Sequence, residues 1–153
     1  MTVKIEQRIG VAAPPSVVWE VLSDLPAWSD WNPVYPKAAG VIRYGERLTV
    51  TEAFPGEPQR EVVLPILDWA PDEALHLRSS EMGGFVQTIR FLEIETLSAT
   101  GCAFTAGELF TGLLAPWAAR KKRRMLKRAF LAICEAIRDR AEARWREASG
   151  GAT

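Results

Sequence analysis

Residues 113–147, LLAPWAARKKRRMLKRAFLAICEAIRDRAEARWRE, decide the architecture. The stretch holds no glycine, and its one proline, Pro116, falls in the first turn, where a missing N–H has no partner to lose. Leu126, Phe130, Ile133, Ile137 and Ala141 step by four, three, four and four residues, and Met125, Ala129 and Cys134 widen the stripe. This is a long amphipathic helix with one face meant for burial. At 1.5 Å per residue it reaches about 50 Å, enough to cross a whole sheet.

Upstream, the period changes from 3.6 to two. Val3, Ile5, Ile9 and Val11 alternate with Lys4, Glu6 and Arg8, which predicts a half-buried strand. Ala13-Pro14-Pro15-Ser16 ends it. Val17, Val18, Val21 and Leu22 then predict one short helix, and Trp28 and Trp31 lie on a second, closed by Asn32-Pro33. From there to residue 111 the signals are of strands separated by turns: Pro55-Gly56-Glu57-Pro58, Gly83-Gly84 and Ser98–Gly101. The expected fold is α+β, a curved antiparallel sheet of six to seven strands wrapped around the C-terminal helix, with two short helices after the first strand. Residues 1–148 form one domain in this reading, and 149–153 a flexible tail.

Composition is that of an ordinary globular chain. Of 153 residues, 48% are apolar and 25% charged, and 19 basic side chains balance 19 acidic ones. The balance gives no overall bias toward nucleic acid. The charged, alternating N-terminus lacks the apolar core of a signal peptide, and no run is long enough to span a membrane, so the expected location is cytoplasmic. Cys102 and Cys134 lack CxxC spacing and read as reduced, buried thiols. With His76 the only histidine, a metal site is not expected, and no cofactor is implied.

The order strand, two short helices, strand meander, long helix resembles the SRPBCC or START-like superfamily, the helix-grip proteins, and within it the polyketide cyclase/dehydrase-like group. The resemblance rests on Ala13-Pro14, Val18-Trp19, Leu22, Asp24, Trp28, Trp31-Asn32-Pro33, Gly45, Phe110-Thr111-Gly112 and Pro116, and spans residues 3–145. Where relatives commonly carry Gly-Thr before the last strand, this chain has Gly101-Cys102. The resemblance implies a hydrophobic cavity between sheet and helix for an apolar small molecule. Relatives include enzymes, carriers and protein binders, and fold alone does not choose among them.

The leading expectation is therefore binding or transport of a small hydrophobic molecule. The alternatives are a cyclase, dehydratase or hydrolase in the same cavity, and a protein- or membrane-surface interaction module. The predicted lining is Trp31, Val50, Phe54, Phe91 and Phe110 from the short helices and sheet, with Met125, Leu126 and Phe130 from the helix. Parity with Leu48, Val50 and Phe54 turns Glu52 inward, and parity with Phe104 and Phe110 does the same for Glu108, which makes them the candidate acid/base pair. His76 alternates with Leu75 and Leu77 and is expected on the outer face.

Arg120–Arg128 contains seven basic residues in nine, without the aromatic interleaving or readout motif of a specific nucleic-acid site. Lys122 departs from that solvated face. One turn before Leu126, it falls on the buried stripe, to snorkel or to cap an anionic group at the pocket. A homodimer is left open.

Overall fold

The computed structural model describes residues 2–150. Strand β1 (Thr2–Val11) leads into helix α1 (Pro15–Ser23), a single 3-10 turn (Leu25–Ala27) and helix α2 (Trp28–Trp31). Strands β2 (Lys37–Ala39), β3 (Arg47–Glu52), β4 (Arg60–Ala70), β5 (Ala74–Glu81), β6 (Val86–Ser98) and β7 (Gly101–Thr111) follow, and helix α3 (Ala115–Gly150) closes the chain. The tail expected at 149–153 is thus helical through Gly150, and residues 151–153 lie outside the described residues.

All seven strands form one antiparallel sheet in the order β1-β7-β6-β5-β4-β3-β2. Strand β4 pairs with β3 through Pro65 and with β5 from Ile66 onward, with a β-bulge between Ile66 and Asp68. Bulges bend a strand and increase its twist, and here the β2–β4 edge is carried round toward the β6–β7 centre. Helix α3 lies in the resulting concavity, packed mainly on β1 and β7 and flanked by α1.

The predicted stripe is the buried one: Leu126, Ala129, Phe130, Ile133, Cys134, Ile137 and Ala141 are all in the core. Burial pushes both thiols, Cys102 and Cys134, up to about 11. At the other end of the chain, Val18, Val21 and Leu22 bury one face of α1 after a start at Pro14-Pro15. The Trp28 indole donates to the Leu22 carbonyl (2.9 Å) and locks α2 onto α1. Asn32, itself buried, accepts at its side-chain oxygen from the Val34 and Tyr35 amides (3.1 and 2.8 Å). That turn aims Tyr35 into the core.

One assignment of faces is reversed. In β6 the inward residues are Val86, Thr88, Arg90, Leu92 and Ile94, so Phe91 lies on the outer face. Its ring covers Gly107, stands edge-on to His76 (6.4 Å between centroids) and sits beneath the Lys4 ammonium. His76 is on that outer face too, 3.3 Å from Glu93. The reason for the reversal is Gly107, whose missing side chain opens a place for a large ring. A Cβ there would approach the Phe91 ring to 2.3 Å and the Glu6 Cβ to 2.8 Å. Gly107→Ala is therefore expected to cost about 1–3 kcal/mol by overpacking, and Phe91→Leu should relieve much of it. Urea unfolding of the single and double variants checks both.

Candidate functional site: an ionic floor beneath an open cleft

Two cross-strand pairs build the site. Arg60 stands directly opposite Glu52 across β4 and β3, and Arg90 directly opposite Glu108 across β6 and β7. All four positions face the concave side. The Arg60 Nε donates to Glu52 Oε2 (2.9 Å), and the Arg90 Nε to Glu108 Oε1 (3.1 Å). The curl of the sheet then closes the two pairs on each other, because Arg90 Nη1 also donates to Glu52 Oε1.

Glu52, Arg90 and Glu108 are only 1%, 5% and 2% exposed. Such a cluster carries a large desolvation cost that only close pairing offsets. Burial works against the Arg90 charge, yet Tyr35 and Glu108 outweigh it and hold its pKa above the ordinary arginine value. Burial likewise raises the Tyr35 phenol, with the Glu108 charge adding and Arg90 opposing. Tyr35 is neutral at physiological pH. Phe54 completes the wall, its ring 5.6 Å from the Arg90 guanidinium and edge-on to Tyr35.

Above this floor is a cleft of about 260 Å³. Phe54, Met125 and Leu126 supply its apolar sides, Glu52, Arg90 and Glu108 its floor, and Glu81 and Lys122 its rim. The Lys122 ammonium lies 2.5 and 2.6 Å from the two Glu81 carboxylate oxygens. This pair borders two wider outer hollows as well, of about 780 and 430 Å³. It forms the doorpost where all three meet.

The sequence candidates distribute unevenly around this geometry. Phe54, Lys122, Met125 and Leu126 line the cleft together with Glu52 and Glu108. Val50 and Phe130 instead border a small cavity of only about 10 Å³, alongside Trp28 and Tyr35. That is barely room for one water. Phe110 is fully buried in the core. Trp31 is half-buried and edge-on to Trp28, its indole N–H without a partner among the described residues. Phe91 borders the cavity shared by Val50 and Phe130, but its ring lies over Gly107 on the outer face.

Most of the remaining space between sheet and helix is core. Trp28, Phe104, Phe110 and Phe130 occupy it, and the accessible volume lies at one end, where the floor is ionic. Sequence reasoning missed Arg90, Tyr35 and Arg60. The available signal was charge: two inward carboxylates need a buried cation, and Arg90 shares parity with Val86 and Leu92.

Comparison with known proteins places this architecture. The chain aligns over 97% of its length with the Zhui aromatase/cyclase from Streptomyces sp. R1128, covering 98% of that chain at 22% identity and a TM-score of 0.70. Norcoclaurine synthase from Thalictrum flavum, solved with a transition-state analogue, is 17% identical over 94% of this chain and 96% of its own, again with a TM-score of 0.70. A START superfamily protein from Mycobacterium smegmatis gives 15% identity, coverages of 92% and 97%, and a TM-score of 0.70. At these identities the likeness is one of fold. No curated protein matches the sequence. The family model described as polyketide cyclase / dehydrase and lipid transport matches residues 2–144. With nearly the whole chain matched, and with the curved sheet, the two short helices and the long gripped helix all in place, this protein belongs to the polyketide cyclase / dehydrase and lipid transport family.

Proposed function

We propose that this protein binds a small molecule with an apolar, one- or two-ring body and a hydroxyl or carbonyl group, seated in the cleft over Glu52, Arg90 and Glu108. The observation that carries the reading is the placement of a buried ionic cluster at the bottom of an apolar-walled opening. A cluster of this kind stabilises a fold no better than well-packed apolar residues of similar volume. Its use is in recognition. Both Glu52 oxygens are taken by arginines, whereas Glu108 Oε2 accepts no hydrogen bond among the described residues. A ligand hydroxyl has an acceptor there. The cleft volume falls just under the ordinary range for ligand pockets, about 300–1,000 Å³, which argues for a small ligand rather than a long acyl chain.

The experiment is calorimetric titration with 2-naphthol and its methyl ether. Burying about 200 Å² of apolar surface, with one hydrogen bond and the cost of lost motion, gives a Kd of roughly 0.1 mM for the naphthol. The ether cannot donate to Glu108 and is expected to bind at least about tenfold more weakly. Equal affinities would remove the floor from the binding site.

Lys122, expected from the sequence to meet an anionic ligand group, is already held by Glu81, so a carboxylate must displace Glu81 to reach it. Glu81→Gln is therefore expected to improve 2-naphthoate binding about fivefold, the upper end for an ion pair with a partly solvated lysine. Binding of 2-naphthol should stay unchanged in the same titration.

A second reading, acid/base catalysis of cyclisation or dehydration, is favoured by the same Glu108 oxygen. A carboxylate oxygen without a hydrogen bond, at the bottom of a ligand-sized cleft, is where a general base belongs. Turnover that disappears in Glu108→Gln while ligand affinity is retained would distinguish catalysis from carriage.

A further inference from the structure

We infer that the rim of the cleft is a docking surface for an anionic lipid bilayer. Four of the exposed large apolar side chains gather at this end of the molecule: Met82 and Phe85 from the β5–β6 turn, and Leu113 and Trp117 from the junction of β7 with α3. Leu113 is 84% exposed and Phe85 61%. The two segments are neighbours, since the Gly112 backbone lies against the Phe85 carbonyl. Met82 and Trp117 border the same hollow beside Lys122. Others, such as Val41 and Leu97, lie singly on other elements, as on any protein surface.

A basic stripe starts at this patch. Trp117, Arg120, Lys121, Arg124 and Arg128 recur at three- and four-residue spacing and lie exposed along α3. Of the seven basic residues between 120 and 128, only Lys122 makes an ion pair among the described residues. The Lys121 ammonium sits 5.1 Å from the Trp117 ring centroid. Because the chain as a whole is neutral, this concentration of positive charge makes the molecule an oriented dipole.

Protruding apolar side chains ringed by lysine and arginine are the chemistry of interfacial membrane binding. The apolar groups enter the headgroup boundary, the tryptophan sits at the interface, and the cations meet anionic lipid. No described helix is long and apolar enough to cross a membrane, so the contact is peripheral. An acidic protein would also answer the charge, but it would need a shaped pocket for Leu113, which projects from the surface rather than lining a groove. A bilayer accepts such a side chain without shape. The cleft mouth opens beside the patch, so an apolar ligand can pass between bilayer and cleft with little exposure to water.

The test is co-sedimentation of the ligand-free full chain with phosphatidylcholine vesicles, with and without 30% phosphatidylglycerol. Since it uses no ligand, its outcome is independent of the cleft reading. Binding is expected with the anionic vesicles only, weakening as salt rises. At about fivefold per basic side chain near the surface, Arg120→Glu/Arg124→Glu should lower affinity at least tenfold. Leu113→Ser/Trp117→Ser should lower it at least fivefold at low salt, with circular dichroism showing both variants folded. Absence of binding to anionic vesicles at low salt would overturn the inference. So would vesicle binding untouched by the Leu113/Trp117 change, which would mark the stripe as a contact for an acidic macromolecule.

Discussion

Arg90→Met is expected to destabilise the protein by about 3–5 kcal/mol, because it leaves Glu108 and Glu52 buried without the guanidinium that bridges them. Glu52 keeps Arg60, but that side chain is largely solvated, and Glu108 has no other ion-pair partner among the described residues. The loss should also free Phe54 and Tyr35, which pack around the guanidinium. Removing all three charges is a different experiment. The triple variant Glu52→Gln/Arg90→Met/Glu108→Gln should recover most of the loss, since neutral side chains carry far smaller desolvation costs. Urea denaturation of wild type, single and triple variants gives the three values. A cost below about 1 kcal/mol for Arg90→Met would mean that water, not Arg90, balances the carboxylates.

Ile133→Asp has an expected effect of similar size and a different origin. Ile133 is 1% exposed on the face of α3 gripped by the sheet. The substitution removes a packed side chain and puts a carboxylate where no cation reaches it, for an expected cost of at least about 4 kcal/mol. In a chain of this length that is a fall in melting temperature of roughly 8–16 °C. Leu131→Asp, two residues away on the solvent side, is the control, because Leu131 is exposed. Its effect should stay within about 0.5 kcal/mol. Thermal melts that shift equally for both variants would contradict the gripped stripe.

The helix was legible because its signal is redundant: five core positions at helical spacing, no glycine, and proline only in the first turn. The first strand was legible for the same reason, and so was the inward parity of Glu52 and Glu108, flanked by unambiguous apolar neighbours. In β6 the parity is mixed: Val86, Leu92 and Ile94 point one way and Ile89 and Phe91 the other, so the central apolar pair misleads. What decides the face is tertiary: the space over Gly107 and the two carboxylates waiting on the concave side. The size of the chamber was equally invisible. It depends on how far the sheet curls at the β4 bulge and on which aromatic rings meet in the middle, neither of which has a period in the sequence. Lys122 lies at the cleft rim, and its partner Glu81, 41 residues away on another element, had no signal in the sequence.

The most direct test of a ligand site over the ionic floor is to map bound 2-naphthol by amide chemical-shift changes in the isotope-labelled protein. The molecule offers a real competitor, the groove of about 340 Å³ between α1 and the Gly40–Ile42 segment, where Trp19 stacks on Trp69. If the cleft is the site, the largest saturable shifts fall on Phe54, Arg90, Glu108, Met125 and their neighbours, and Met125→Trp, which fills the cleft, abolishes them. Shifts centred on Trp19 and Trp69, or shifts that survive Met125→Trp, would contradict it.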